Sequence, residues 1–156
     1  MEIKVRKAEE KDLERIAEIE SQCFEKPWTK EMVENSFDDE MNAIWVADTP
    51  DGIAGYLLAF CMPTVTAEIY RIATDSKFRR NKVAHNLINF MFCYCNLIGV
   101  EKILLDVNTN NTPAIALYKS FDFLEDGRRE RYYDNTDDAI LMSRVVTLET
   151  KPLNLE

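Results

Sequence analysis

Glycine and proline are scarce in this chain, at 4 and 5 of 156 residues, and histidine occurs once, as His85. So little of either excludes collagen-like and low-complexity disordered composition. No apolar run approaches the ~18 residues of a membrane span, so no membrane partner is expected. The opening Met1-Glu2-Ile3-Lys4 has no basic head followed by an apolar stretch and does not read as a secretory signal, so a cytoplasmic protein is expected. Positive charge is also short: 19 Lys and Arg against 28 Asp and Glu leave a net −9. Nucleic-acid binding relies on basic surface that displaces counterions, so no nucleic-acid partner is expected. The four cysteines, at 23, 61, 93 and 95, lack zinc spacing, and Cys93 and Cys95 stand two apart in a helical stretch, facing different directions. With one histidine available as a further ligand, no metal site is expected, and the cysteines read as reduced, small apolar residues.

The apolar share is 46%, enough to build the core of one domain, and there is no internal repeat. Residues 1–148 are expected to form that domain, with 149–156 a loose tail that has no periodic pattern. Ile3–Lys7 reads as a strand, followed by a helix carrying Leu13, Ile16, Ala17 and Phe24 at helical spacing. Glu9, Glu10 and Asp12 stand near its positive end. Pro27-Trp28-Thr29 breaks the chain, with Thr29 set to cap a second helix running to about Phe37. Strands are expected over Ala43–Ala47 and Ile53–Cys61, joined around Asp51-Gly52, and over Val65–Ala73. A long helix follows from Lys82 to Ile98, ended by Gly99. Then come a buried strand over Ile103–Val107, a helix over Thr112–Phe121, and strands over Phe123–Tyr132 and Ala139–Val146 turning at Asp134-Asn135-Thr136. Strand, two helices, three strands, helix, strand, helix and two strands make a mixed α/β domain on one sheet.

Lys77, Arg79, Arg80 and Lys82 put four basic side chains within six residues of an acidic chain, between a strand and the start of the long helix. A helix N-terminus leaves unpaired N–H groups and partial positive charge pointing outward, so strand, tight turn and helix start together suit a phosphate. The same residues also fit a plain solvated turn. No Gly-Lys-Ser or Gly-Lys-Thr is present, so this is not a Walker loop.

Arg79-Arg80-Asn81-Lys82-Val83-Ala84 resembles the Arg/Gln-x-x-Gly-x-Gly/Ala signature of the GNAT acetyltransferases. Ile72-Ala73-Thr74-Asp75 before it, and Asp106-Val107-Asn108, Asn111, Ala114, Leu117-Tyr118 and Phe123 after it, stand at that family's spacing. Phe24, Pro27-Trp28-Thr29, Tyr132-Tyr133 and Asp138-Ala139-Ile140 are similar to the RimI-type branch, which acetylates the N-terminal alanine of a small-subunit ribosomal protein. The likeness runs from about residue 3 to 146. It implies the GNAT fold, a single, mostly antiparallel central sheet flanked by helices, and acetyl-CoA as co-substrate. It also implies a protein or peptide N-terminus as acceptor and a monomer or weak dimer. Two positions depart from the signature. Lys82 occupies its first glycine, where positive φ and close backbone approach are wanted, and Asp122 replaces a glycine before Phe123.

The resemblance puts Ile72, Ala73 and Thr74 beside the pantetheine arm, with their backbone N–H groups near the oxyanion. It puts Arg79, Arg80, Asn81, Lys82, Val83 and Ala84 around the pyrophosphate, with His85 next to it at the helix start rather than acting as a base. Asn111 is a helix cap that by resemblance also touches the cofactor. Acetyl transfer needs an amine deprotonated and a thiolate protonated. Tyr118, a phenol on the helix beside the thiol, is the candidate acid, and a packed aromatic is the other reading of it. Asp106, where RimI-type enzymes carry a glutamate, is the candidate base, and a structural carboxylate is the other reading of that. Phe24, Trp28, Tyr132 and Tyr133 suit the walls of a peptide groove, with Glu20 and Glu25 meeting a basic peptide. An acetyltransferase for a small amine or lysine, and a non-catalytic CoA-binding module, are alternatives.

Overall fold

A computed structural model describes residues 1–133 and 136–146. Seven strands form one sheet: β1 (Lys4–Lys7), β2 (Asn42–Thr49), β3 (Gly52–Met62), β4 (Thr66–Thr74), β5 (Lys102–Asn108), β6 (Leu124–Tyr133) and β7 (Asp137–Val145). Their order across the sheet is β1-β2-β3-β4-β5-β7-β6, with every pair antiparallel except β4 with β5. Four helices cover it: α1 (Leu13–Cys23), α2 (Lys30–Asp38), α3 (Val83–Leu97) and α4 (Thr112–Ser120). The expected order of elements is the observed one. Part of the expected last turn, Asp134-Asn135, and the expected tail at 149–156 lie outside the described residues.

The sheet separates two apolar clusters. Ile16, Ile19 and Val33 of α1 and α2 pack on Ile44, Val46, Tyr56 and Leu58. On the opposite face Leu87, Ile88 and Met91 of α3 and Tyr118 of α4 meet Leu57, Ile103, Leu105 and Val107. Alternation along β3 sorts residues between the faces, as a strand buried on both sides requires. Turn chemistry sets the ends. Gly52 opens β3 with φ +104°, Thr29 accepts a hydrogen bond from Met32 N at the head of α2, and Gly99 follows α3 with φ +75°.

A bulge in β4 controls what lies on each face. Ala59 pairs with Ile69 and Leu58 with Arg71, leaving Tyr70 as the extra residue. Before it Ala67 and Ile69 face α3; after it Ala73 faces α1. One inserted residue reverses the alternation, as the two-residue period of a strand demands.

Candidate active site

The pairing of β4 with β5 runs only from Thr66↔Lys102 to Ile69↔Leu105. Beyond that point β4 continues to Thr74 against β3, and β5 continues to Asn108 against β7. In the middle of a sheet the facing edges of residues 70–74 and 106–108 therefore have no strand partner among the described residues. Buried backbone donors and acceptors are almost always paired, so an open seam here suits an extended ligand that takes the missing partner's place.

Ile72 and Thr74 are half-buried along this seam and Ala73 is buried, with β3 on the far side. The approach is close because β3 carries Gly55: a Cβ there would stand 2.6 Å from Ala73 O and 2.9 Å from Val83 Cγ1. Asp75 then turns the chain. It is buried, accepts from Lys77 N at 2.8 Å, and takes Arg15 Nη2 at 2.6 Å from 60 residues away. The Lys77 N–H, with Arg15 and against the pull of burial, holds its carboxyl below the usual aspartate range. Neither Asp75 nor Arg15 stood out as a site residue in the sequence, since no local pattern marks a pair this far apart.

From Asp75 the chain makes a short 3-10 turn, Ser76–Phe78, whose Phe78 is buried as an anchor. Arg80 and Lys82 then adopt left-handed backbone, with φ 68° and 59°. The conformation that favours glycine is thus present at Lys82, held by a lysine that serves as N-cap of α3 without a side-chain cap bond. Asp122 likewise has φ 63°. Thr74, Arg79, Arg80, Lys82, Val83, Ala84 and His85 line a hollow of about 280 Å³ at the head of α3. Arg79, Arg80 and Lys82 are exposed around it, and the helix's first N–H groups open toward it, a combination that fits a pyrophosphate. Asn81 does not line it; its amide donates to Phe78 O and Arg79 O and braces the turn. His85 is exposed and rests against the Phe121 ring. Asn111 caps α4, accepting from Ala114 N at 3.3 Å.

Asp106 is half-buried on β5, on the face opposite α3. Tyr133 stands near it: burial first, then the Asp106 charge, pushes that phenol up to about 12. Tyr118 is 5% exposed, with its ring against Phe123. Burial, with Tyr133 nearby, holds its phenol well above the ordinary tyrosine value, so it stays protonated. Its hydroxyl makes no hydrogen bond among the described residues, although the one buried side-chain oxygen or nitrogen there without a partner is Asn42 Oδ1.

Phe24 and Trp28 are half-buried between α1 and α2, stacked on the Arg71 guanidinium at 3.9 and 5.2 Å. Tyr132 is exposed and meets Tyr133 edge-on. Glu20 is not a peptide contact: it is 1% exposed and bonded to Arg71, Tyr56 and Trp28 N. Its place on the buried stripe of α1 and its arginine partner explain the difference. Glu25 is exposed. Among the described residues no cluster of metal-ligating side chains occurs, and no helix is long and apolar enough to cross a membrane.

The acetyltransferase (GNAT) family profile matches residues 13–123. The ribosomal protein bS18-alanine N-acetyltransferase of Salmonella typhimurium is 30% identical over 144 residues, covering 88% of this chain and 93% of that one. The crystal structure of the ribosomal-protein-S18-alanine N-acetyltransferase from Escherichia coli superposes with a TM-score of 0.87 at 24% identity, over 98% of this chain and 99% of that one. Arabidopsis thaliana NAA60 in complex with acetyl-CoA gives 0.83 at 21% identity, over 93% and 99%. At those identities the two structures speak for the fold.

Proposed function

The chain belongs to the acetyltransferase (GNAT) family, and we propose that it moves the acetyl group of acetyl-CoA onto the N-terminal α-amine of a protein, a ribosomal-protein alanine being the first acceptor to try. The observation that carries this reading is the open seam between β4 and β5, which has the basic turn at one end and Asp106 on one of its strands. The likeness to a bS18-alanine N-acetyltransferase supports the acceptor class.

In this reading Arg79, Arg80 and Lys82 neutralise the pyrophosphate, helped by the N–H groups that begin α3. The free edge of Ile72, Ala73 and Thr74 pairs with the amide-bearing arm and offers N–H groups to the carbonyl oxygen as charge develops on it. Asp106 accepts a proton from the incoming amine. An α-ammonium has a pKa of ~7.7–8.0 against ~10.4 for lysine, so about a tenth is already neutral at pH 7 and a carboxylate suffices as base. Tyr118 donates to the departing sulfur. Its raised pKa keeps it protonated and so available as the donor at neutral pH, and proton transfer to sulfur is completed as the nitrogen's second proton becomes available to restore it. Phe24, Trp28, Tyr132 and Tyr133 flank the acceptor's approach.

Calorimetry with acetyl-CoA, followed by a panel of peptides with free N-termini, N-acetylated lysine peptides and polyamines, tests the proposal. Binding, with turnover confined to free α-amines, is expected. Turnover of lysine or polyamine alone gives the acceptor class to a small-amine enzyme, and absence of cofactor binding leaves no transferase.

A further inference from the structure

On the α1–α2 side of the sheet the helical cover ends at Leu58 of β3, which is 1% exposed. Ala59 and Cys61 face α3, so Phe60 and Met62 turn to the α1–α2 side, Phe60 half-buried and Met62 38% exposed. Glu68 of β4 pairs with Phe60, and the bulge then sets Tyr70 on the same side. The Tyr70 ring stacks on Phe60, with centroids 6.2 Å apart and planes 26° from parallel, and it is 45% exposed. Arg71 comes next, with Phe24 and Trp28 against its guanidinium. A row of rings thus begins at the walls proposed for the acceptor and runs out along β3 past the end of the helices.

The charges beside this row favour a cation. Asp39 and Glu40, between α2 and β2, are exposed and form no ion pair among the described residues. Burial first, then the charges of Glu68 and Asp39, hold the Tyr70 phenol above its ordinary value, so Asp39 lies near that ring and the ring is neutral. The cations nearby are placed elsewhere: Arg71 is held by Glu20, and Lys102 is aligned with Thr66, four residues back along β5 from Asp106. Ring faces and unpaired carboxylates attract positive charge in the same direction.

Reach fixes which part of an acceptor arrives there. Glu68 is aligned with Leu104, and Asp106 is two residues further along β5. With strands ~4.8 Å apart and a rise of ~3.3 Å per residue, the Cα atoms of Phe60 and Asp106 are roughly 12 Å apart. An extended chain covers ~3.3–3.6 Å per residue, so a peptide with its α-amine at Asp106 lays its third or fourth residue on the Phe60–Tyr70 pair.

We propose that Phe60 and Tyr70, with Asp39 beside them, form a specificity subsite for a basic side chain, arginine before lysine, at the third or fourth position of the acceptor peptide. This rests on the function proposed above and extends selection beyond the residue that is acetylated. Arginine is preferred because its planar guanidinium stacks on a ring and is more weakly hydrated than an ammonium. No bond or proton changes hands at this place, so the subsite acts through acceptor KM and leaves kcat alone.

Alanine-starting peptides ten residues long, identical except for one arginine at position three, four or nine, separate the subsite from the general attraction of a chain with net charge −9. Arginine at position three or four is expected to lower KM about fivefold against glutamine there, with kcat within twofold. Arginine at position nine should match glutamine. In Tyr70→Ala and Phe60→Ser the preference should fall below twofold, while the acetyl-CoA Kd and turnover of alaninamide, too short to reach the rings, stay at wild-type values. Tyr70→Phe keeps the ring and should keep the preference. If Phe60→Ser does not fold, the exposed Tyr70 position decides alone. Turnover with no positional preference, or a preference that survives in Tyr70→Ala, overturns the subsite and leaves the transferase standing. A wild type that acetylates no peptide overturns both.

Discussion

Arg71 holds both carboxylate oxygens of Glu20, with Nε 2.9 Å from Oε1 and Nη2 2.6 Å from Oε2. The same guanidinium lies against the Phe24 ring, and Glu20 also accepts from Trp28 N at 3.0 Å and from the Tyr56 hydroxyl. One ion pair thereby ties α1 and the Phe24–Trp28 loop to the strand that leads into the seam. Burial pushes the Glu20 carboxyl up, but the Arg71, Tyr56 and Trp28 hydrogen bonds together outweigh it and the carboxyl titrates below its ordinary range. Glu20→Gln leaves Arg71 buried without its counter-charge and should cost about 3–5 kcal/mol in urea unfolding at pH 7.

The sign of the pH dependence follows from the same pair. A carboxyl whose folded pKa is depressed contributes its stability above the unfolded value of ~4.3 and loses it as pH falls through the folded value. Asp12 and Asp75 are depressed as well. Wild-type stability should fall steeply below about pH 5, and Glu20→Gln should show a shallower fall. Parallel acid-unfolding curves for the two proteins would count against Glu20.

At Gly55 there is no room for a methyl group. A Cβ would meet Ala73 O at 2.6 Å, and main chain cannot yield as a flexible side-chain end can. Gly55→Ala should cost about 1–3 kcal/mol by forcing β3, β4 and α3 apart. Because Thr74 and Val83 line the hollow at the head of α3, acetyl-CoA affinity measured by calorimetry should fall with it.

Lys82 holds φ 59° where glycine would be unstrained. Glycine removes about 1–2 kcal/mol of left-handed cost. It adds back about 0.4–1 kcal/mol of unfolded-chain entropy. Lys82→Gly should therefore raise stability by roughly 0.5 kcal/mol. Acetyl-CoA binding in the variant should become less sensitive to salt, since one charge lining the hollow at the head of α3 is gone.

Tyr118→Phe removes a hydroxyl that makes no hydrogen bond among the described residues, so its melting temperature should match wild type. The acetyl-CoA Kd should hold as well, while kcat falls about 10²-fold. Equal kcat would leave Tyr118 a packing residue.

Element order and kind were legible in the amino-acid sequence because they rest on local chemistry: apolar spacing, Thr29 before α2, Gly52 in the β2–β3 turn, Gly99 after α3. The basic turn was legible for the same reason, being a run of neighbours at a helix start. Residues 72–74, Asp106 and Tyr118 entered through resemblance to a family, and nothing in their own neighbourhoods assigns them a task. Glu20 misled, since a lone glutamate on an amphipathic helix looks like a surface charge until its arginine, 51 residues away, is seen.

By itself the sequence determined what short-range forces determine: which segments are helix or strand, where they stop, and that a positively charged turn precedes α3. Only the tertiary structure decided which groups meet. The strands part after Ile69 and Leu105, the Tyr70 bulge reverses the faces of β4, and Glu68 comes to lie beside Asp106. Such relations depend on register and packing between distant segments. Burial and neighbouring charge act through space, so one glutamate, Glu20, is an ion-paired anchor while another, Glu68, makes no hydrogen bond among the described residues and has its carboxyl raised by burial and Asp106.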